Sequence, residues 1–334
     1  MIQKNINISS LDLFRGIAGY GVAICHYFYY LHNLDSFQFY SIFFVEFFFI
    51  LSGFVLLPQL EKVYNDNKNI KIFYFRRWLR TVPPYLIALV CYSILFTKFD
   101  LDTLKYLFFV QKITANFVQD DYFSVAWSLS VEEFFYFIFP LFLLILNKKK
   151  LIHIIILFIL LIYSLKIIYL LTNTEEEFYR IGTFLRLDSI AFGMVTRIYF
   201  NKIKSNLFNI LLTILILFSM NYFYVKIPNL TSLDLFLFIL LIQIFSINII
   251  IFFINLNELI KNKILINFFS LLSKQTYSIY LFHLIIIHFF NLNIFFLNSN
   301  FTFLFYLISL FSFSSFFYFV IEKNIIANRP NYVN

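Results

Sequence analysis

The sequence predicts an all-α protein, a polytopic bundle of about ten membrane-spanning helices with both termini in the cytoplasm. Three observations carry this. Of the 334 residues, 61% are hydrophobic and 13% charged, and the mean hydropathy is +0.82, outside the range of soluble domains of this size. The apolar residues form continuous runs of spanning length, and hydrocarbon admits only structures that satisfy their own backbone, so unalternating runs read as helices rather than barrel strands. The basic residues gather in alternate loops.

In chain order the runs are roughly 11–30, 39–58, 83–99, 127–146, 151–171, 184–200, 207–225, 233–254, 275–292 and 301–321, the third and sixth being shortest. No internal repeat or low-complexity linker interrupts them. The first run holds Asp12, Arg15 and His26 and lacks a small-residue cleavage site, so it is not a signal peptide. Residues 1–334 are therefore expected to form a single membrane-embedded domain with no appended soluble domain. Lys4, the stretch from Lys62 to Arg80, Lys148–Lys149–Lys150, Arg197/Lys202/Lys204, Lys261/Lys263/Lys274 and Lys323/Arg329 fall on the side of the N-terminus. The opposite loops carry Lys98, Lys105, Lys112, Arg180 and Lys226 with the acidic Asp120–Asp121 and Glu175–Glu176–Glu177. This asymmetry places both termini inside and the protein in the inner (cytoplasmic) membrane as a multi-pass protein.

The net charge of +8 is spread over many short loops, which fits membrane orientation and membrane lipid rather than nucleic acid. Cys25 and Cys91 sit in apolar runs and suggest no disulfide framework. The 51 Phe fit an AT-rich coding sequence and carry little functional meaning.

Ionisable residues inside the runs carry the functional argument, because burying one without a partner costs on the order of 3 kcal/mol or more. In LDLFRGIAGYGVAICHYF (Leu11 to Phe28), Arg15 and His26 are eleven residues apart. That is three turns plus roughly 20°, which puts both on one helix face about 16 Å apart. Ala18, Gly19 and Val22 lie near the line between them, small enough for a helix or ligand to come close. Alternatively, Arg15 reaches the headgroups and His26 caps a carbonyl. FFVEFFFILSGF (Phe43 to Phe54) holds Glu46 and the break Ser52–Gly53, which could equally be a packing notch. FYFRRWLRTVPPY (Phe73 to Tyr85) presents Arg76, Arg77 and Arg80 before Pro83–Pro84, which are expected to start the next segment. Such a segment suits anionic lipid, or a phosphate-rich ligand such as coenzyme A.

VAWSLSVEEFFYFIFPL (Val125 to Leu141) carries Trp127, Glu132 and Glu133, the two carboxylates pointing about 100° apart. RLDSIAFG (Arg186 to Gly193) places Arg186 and Asp188 at the start of the sixth run, and KQTYSIYLFH (Lys274 to His283) brings Tyr277, Tyr280 and His283 to the ninth. Depths follow from the topology. His26 lies about 22 Å from the cytoplasmic end, Glu46 about 10 Å and Glu132/Glu133 about 8 Å below the outer surface, with the arginines at the opposite face. The expected site is two-sided, an anion-binding end inside and an acid/base end further out.

In order, LDLFRGIAGYGVAICH, FFVEFFFILSGF, FYFRRWLR, WSLSVEEFFYFIFP, RLDSIAFG and TYSIYLFH resemble the integral-membrane acyltransferase family 3, which includes surface-polysaccharide O-acetylases. The resemblance runs from about residue 9 to 320. It implies acyl-CoA, acetyl-CoA above all, as a cytoplasmic donor substrate and a hydroxyl of a sugar, polysaccharide or lipid-linked glycan as acceptor, with no bound cofactor and no metal. It puts the family's Arg-x10-His motif on Arg15 and His26, its Arg-x-x-Arg on Arg77 and Arg80, and its paired glutamates on Glu132 and Glu133. Glu46 stands where members often have Asp.

On this reading His26, Arg15, Glu132 and Glu133 are the catalytic candidates, and Arg76, Arg77, Arg80, Ser52 and Gly53 bind the donor, the last two along its pantetheine path. Glu46, Trp127, Arg186, Asp188, Tyr277 and His283 serve the acceptor or support the site. His26 would act as general base with a carboxylate holding its tautomer, or would carry the acyl group itself. A transporter or flippase for lipid-linked envelope intermediates is the alternative, without need for His26 as a base and with paired broken-helix repeats expected. A structural subunit would leave the buried charges unexplained, and a homo-oligomer remains open.

Overall fold

The computed structural model describes residues 8–172, 176–200, 207–226, 231–292 and 299–333. Among these residues there is no strand. The first apolar run forms α1 (Ser9–His32), which stops where Asn33 turns left-handed at φ 53° and returns its N–H to the Phe28 carbonyl, a conformation Asn tolerates better than most residues. There follow α2 (Asp35–Asn65), α3 (Asn69–Leu95), the short α4 (Leu101–Leu107), α5 (Ala126–Ile145) and α6 (Leu151–Thr172). Next come α7 (Glu176–Ile181), α8 (Leu187–Tyr199), α9 (Leu207–Lys226), α10 (Ser232–Leu256), α11 (Lys263–Asn291), α12 (Ser299–Phe317) and, after a π turn, α13 (Lys323–Ala327).

Each of the ten apolar runs lies on a helix, but among the described residues six segments are long and apolar enough to cross a membrane: Asp35–Asn65, Asn69–Leu95, Ala126–Ile145, Leu151–Thr172, Ser232–Leu259 and Phe301–Ala327. At 13 residues, α8 is roughly 20 Å long, short of a 30 Å hydrocarbon core. Helices α1 and α11 have the length but carry polar side chains along their buried faces. Two boundaries depart from expectation. Pro83 and Pro84 lie inside α3 rather than starting a helix, so Arg76, Arg77 and Arg80 are helical residues. The Tyr277 hydroxyl donates to the Thr81 carbonyl at 2.8 Å, supplying an outside donor in the turn that the prolines disturb. Helix α11 begins twelve residues before the apolar run, at Lys263. Lys4, Lys202, Lys204 and Glu175 lie outside the described residues.

Helix α2 is the centre of the bundle and touches α1, α3, α5, α8 and α10. Its Gly53 meets α8 so closely that a Cβ there would overlap the Ile190 carbonyl oxygen, and a Cβ on Gly193 would overlap that of Ile50. Two glycines therefore let two backbones touch. The core is aromatic: Phe39 stacks on Phe238 of α10 at 4.9 Å, Phe14 meets Phe47 at 5.1 Å, and Phe135 and Phe139 of α5 edge onto Phe158 of α6. The abundant Phe thus fills the gaps between helices. Large apolar side chains also point outward, such as Leu160, Leu171, Leu215 and Phe218, the arrangement expected of a surface facing lipid.

Contacts also fix helix directions. Arg15, Gly19 and His26 of α1 meet Ser273, Thr276 and His283 of α11, so these two run parallel. Helices α2 and α5 are parallel through Phe49–Trp127 and Ser52–Glu132. Helices α3 and α5 are antiparallel: Tyr74 meets Phe137, four residues beyond Glu133, which lies beside Thr81.

Candidate functional site

The α1–α11 seam builds the first half of the site. A Cβ on Gly16 would lie 2.8 Å from Leu272 Cβ, and one on Gly19 would lie 2.7 Å from Thr276 Cγ2, so the small residues bring the two backbones together. Ala18 and Val22 are fully buried beside them. Arg15 and His26 share a face, as the helical period requires, and both reach α11. Arg15 Nη1 donates to Ser273 Oγ at 3.0 Å, and His26 Nδ1 lies 2.8 Å from His283 Nε2.

The second contact determines the protonation pattern of both rings. His283 Nδ1 lies 3.0 Å from the Ile279 carbonyl and 2.9 Å from that of Tyr280. Carbonyls only accept, so Nδ1 of His283 carries the hydrogen and Nε2 keeps a lone pair. That lone pair accepts from His26 Nδ1, which leaves the lone pair of neutral His26 on Nε2. The orienting group is therefore a second imidazole. The expected carboxylate is absent: among the described residues none lies within 4.0 Å of either ring.

The second half is a partly open cavity of about 90 Å³ lined by α1, α2, α3, α5 and α11. Arg15, Ser52, Arg77, Arg80, Glu132 and Tyr277 all line it. Ser52 Oγ donates to Glu132 Oε1 at 2.8 Å and Tyr136 donates to Oε2 at 2.9 Å, so both carboxylate oxygens are held. The Arg77 guanidinium lies over the Tyr136 ring at 5.5 Å. At the other end of the cavity, the Tyr280 hydroxyl is 2.6 Å from Ser128 Oγ and donates to the Val125 carbonyl at 3.1 Å. His283 is one turn beyond Tyr280 on α11, so the histidine pair adjoins this end without lining the cavity.

Several sequence-predicted residues sit elsewhere. Glu132 shares the cavity with Arg15, Arg77 and Arg80 rather than meeting His26, and neighbouring Glu133 turns toward α3, buried with Oε1 unpaired. Gly53 faces α8 and not the cavity, so only Ser52 of the pair lies on the expected donor path. Glu46 is ion-paired with Arg186, both buried, and Arg186 also donates to the Arg180 carbonyl at 3.0 Å. Asp188 accepts from Lys166 Nζ at 2.6 Å and Gln243 Nε2 at 2.9 Å. The three predicted charges Glu46, Arg186 and Asp188, with Lys166, thus tie helices together, away from the cavity. Trp127 packs on Phe49 at 5.9 Å, with the Arg180 guanidinium 5.9 Å from its ring. Arg76 points away from the cavity, toward the C-terminal residues.

Sequence reasoning missed Lys166, Ser273, Tyr136 and Gln243. Lys166 was detectable, being the one charge in Leu151–Thr172. The other three resemble ordinary polar residues until their partners are known. Among the described residues no three His, Cys, Asp or Glu side chains gather as metal ligands.

The fold and site define a multi-pass membrane protein whose ionisable side chains meet inside a helical bundle. This chain belongs to the acyltransferase family 3. The sequence model of that family, described as an acyltransferase domain, matches residues 8–320. It is similar to the peptidoglycan O-acetyltransferase OatA of Listeria monocytogenes, with 31% identity over 178 residues, 46% of this chain and 28% of the relative. It is also similar to the O-acetyltransferase OatA of Staphylococcus aureus, 26% identical over 174 residues, 45% of this chain and 29% of that protein. A putative O-acetyltransferase of Staphylococcus aureus matches at 29% over 174 residues, again 45% and 29%. The match thus spans less than a third of the length of each of these relatives. No solved structure matches.

Proposed function

We propose that this protein is an O-acyltransferase of the cytoplasmic membrane. It moves an acetyl group from acetyl-CoA on the cytoplasmic side to a hydroxyl of a cell-envelope glycan, within one membrane-embedded domain. The observation that carries the reading is the hydrogen-bond chain from the Ile279 and Tyr280 carbonyls through His283 to His26. A base needs a lone pair held in place, and this chain provides one on His26 Nε2. As the acceptor oxygen bonds to the thioester carbonyl carbon, its proton passes to Nε2. The carbon–sulfur bond then breaks and the thiolate leaves. The imidazolium shares its charge by donating Nδ1–H to His283. If His26 carries the acyl group instead, the same nitrogen is the nucleophile.

Arg15, Arg77 and Arg80 meeting on one cavity support an anionic donor, with Glu132 keeping the end of the cavity polar. Arg76 adds charge at the same end of α3. Ser52, Tyr277 and the buried Glu46–Arg186 and Asp188–Lys166 pairs hold the surrounding helices, with Trp127 beside them. Relatives named as O-acetyltransferases, one of them of peptidoglycan, favour acetyl as the group and a glycan as acceptor. The parallel pairs α1/α11 and α2/α5 and the antiparallel pair α3/α5 fit spans that alternate in direction along the chain, and the cytoplasmic placing of the termini rests on the loop charges. The reading is tested by supplying isotopically labelled acetyl-CoA to inverted membrane vesicles with and without the protein, and following label into extracted glycan by mass spectrometry. Label that enters independently of the protein, or not at all while glycan acetylation continues in cells, would overturn the donor or the side.

A further inference from the structure

The chain past the family-matched span folds back on the arginine end of α3. The Val333 backbone N–H donates to Asn69 Oδ1 at 2.9 Å, and its carbonyl accepts from Asn69 Nδ2 at 3.2 Å. The Tyr332 hydroxyl donates to Gln59 Oε1 at 3.3 Å, and its ring lies 4.8 Å from Lys62 Nζ and 5.0 Å from the Arg76 guanidinium. Arg76 donates to the Pro330 carbonyl. These contacts hold residues 330–333 as a strap over the C-terminal end of α2 and the first half of α3, and bring Arg329, next to Pro330, to the end of α3 that carries Arg76.

Arg329 thereby joins Arg76, Arg77 and Arg80 at one end of α3, none of them with a counter-charge in contact. Among the described residues no carboxylate lies within 4.0 Å of any of them. Glu132, Glu133 and Glu322 are the carboxylates facing Arg77 and Arg80, the first two from α5 and the last from the π turn. The Nε of Arg76, Arg77 and Arg329 and the Nη2 of Arg329 are buried with no acceptor among the described residues. Buried N–H groups without acceptors are costly, and crowding cations adds repulsion, so an anion with several oxygens would stabilise the cluster. Burial and then the charges of Arg80, Arg77 and Arg76 lower the pKa of Arg329, the sign expected of an uncompensated cation. An arginine serving only to anchor the chain at headgroups would instead extend into the interface alone.

We propose that Arg329, held by the strap, completes with Arg76, Arg77 and Arg80 a binding site for the phosphate groups of a phosphate ester. In taking that ester to be coenzyme A, the inference rests on the donor reading above. The same chemistry is offered by an anionic phospholipid headgroup, and the test separates the two.

Coenzyme A binding is measured by titration calorimetry on the full chain in detergent, for wild type, Arg329→Ala, Arg329→Gln and Arg77→Ala. Phosphatidylglycerol binding is measured for the same proteins by native mass spectrometry. Loss of one charge-assisted phosphate contact is expected to weaken coenzyme A about tenfold or more in both Arg329 variants. Arg329→Gln keeps the bulk of the side chain and serves if the alanine variant does not fold. Wild type that binds phosphatidylglycerol but not coenzyme A, with the lipid lost in the Arg329 variants, would uphold the phosphate site and overturn the donor reading. Coenzyme A weakened by Arg77→Ala but not by either Arg329 change would overturn the inference and leave the donor reading standing. Unchanged binding of both ligands in the Arg329 variants would overturn it as well.

Discussion

His26 and His283 are joined nitrogen to nitrogen at 2.8 Å, and the two carbonyls behind His283 allow each neutral ring a single tautomer. The bond follows from the parallel α1–α11 seam: Arg15–Ser273 and His26–His283 differ in offset by one residue over three turns. Glycines at 16 and 19 bring the helices close enough for both contacts. Packing along the first helix and the state of its histidine are thus one structural fact.

His26→Ala is expected to reduce acyl transfer by at least ~10²-fold, the lower end for a positioned acid–base group. Coenzyme A binding should change little, because His26 does not line the arginine cavity. His283→Ala should lower kcat by a similar order and leave donor binding intact, since it removes the acceptor that fixes the His26 tautomer. His283→Gln retains a side-chain carbonyl acceptor for Nδ1–H and should recover part of the rate with an altered pH profile. A His283→Ala enzyme with the wild-type rate and pH profile would show that the pair is only packing.

Gly53→Ala tests the α2–α8 crossing. Its methyl group would overlap a backbone oxygen, which cannot rotate aside, and overpacking of this kind costs about 1–3 kcal/mol or more. Gly16→Ala would meet Leu272 Cβ at 2.8 Å, a milder overlap than the 1.8 Å at Gly53, and should cost less. Melting of the two variants in detergent checks the order. Equal melting temperatures for Gly53→Ala and wild type would mean that the helices separate freely there.

Asp102 gives a pH prediction outside the spanning helices. Its Oδ2 accepts from the Gln119 and Asp120 N–H groups at 3.0 and 3.2 Å, and Oδ1 pairs with Lys105 at 2.7 Å. Desolvation pushes its pKa up, but Lys105 and the two N–H groups outweigh it, and the net shift is downward. A depressed carboxyl pKa stabilises the fold above the unfolded value, near 3.9, and this contribution is lost as pH falls through the lower folded value. The protection of the Gln119 and Asp120 amides, relative to their intrinsic exchange rate at each pH, should therefore fall as the medium is acidified below about pH 4. Asp102→Asn should show the lower protection already at neutral pH. Protection that is the same at pH 7 in both proteins would remove Asp102 as the loop's anchor.

The sequence made one-helix relations legible and left relations between helices dark. Arg15 and His26 share a face because 3.6 residues make a turn, and the structure keeps that face. Nothing in the sequence says that α11 is the helix it meets, so His283 was one supporting residue among several. Depth along the membrane was estimated from run boundaries, which grouped Glu132 with His26. Lateral position decides the matter, and Ser52 and Tyr136 hold Glu132 among arginines. Glu46 and Arg186 stood out as buried charges, but only the fold shows that they neutralise each other across 140 residues. Pro83–Pro84 read as a helix start, yet α3 continues through them, with the Tyr277 hydroxyl donating to the neighbouring Thr81 carbonyl.

Lys166 and Asp188 offer the sharpest test of what the buried charges away from the cavity do. Both side chains are essentially inaccessible, with Nζ 2.6 Å from Oδ2, and Gln243 donates to the same oxygen. Removing one partner leaves the other charge buried and uncompensated, a loss of about 3–5 kcal/mol. Lys166→Met should therefore cut the yield of folded protein and lower its melting temperature steeply. Lys166→Met with Asp188→Asn removes both charges while keeping shape and the hydrogen bond from Gln243, and should restore most of the stability. If the pair serves structure alone, the double variant should also transfer acyl groups at close to the wild-type rate. A stable double variant without activity would instead bring Asp188 into the site, through the Arg186 and Glu46 charges that lie beside it.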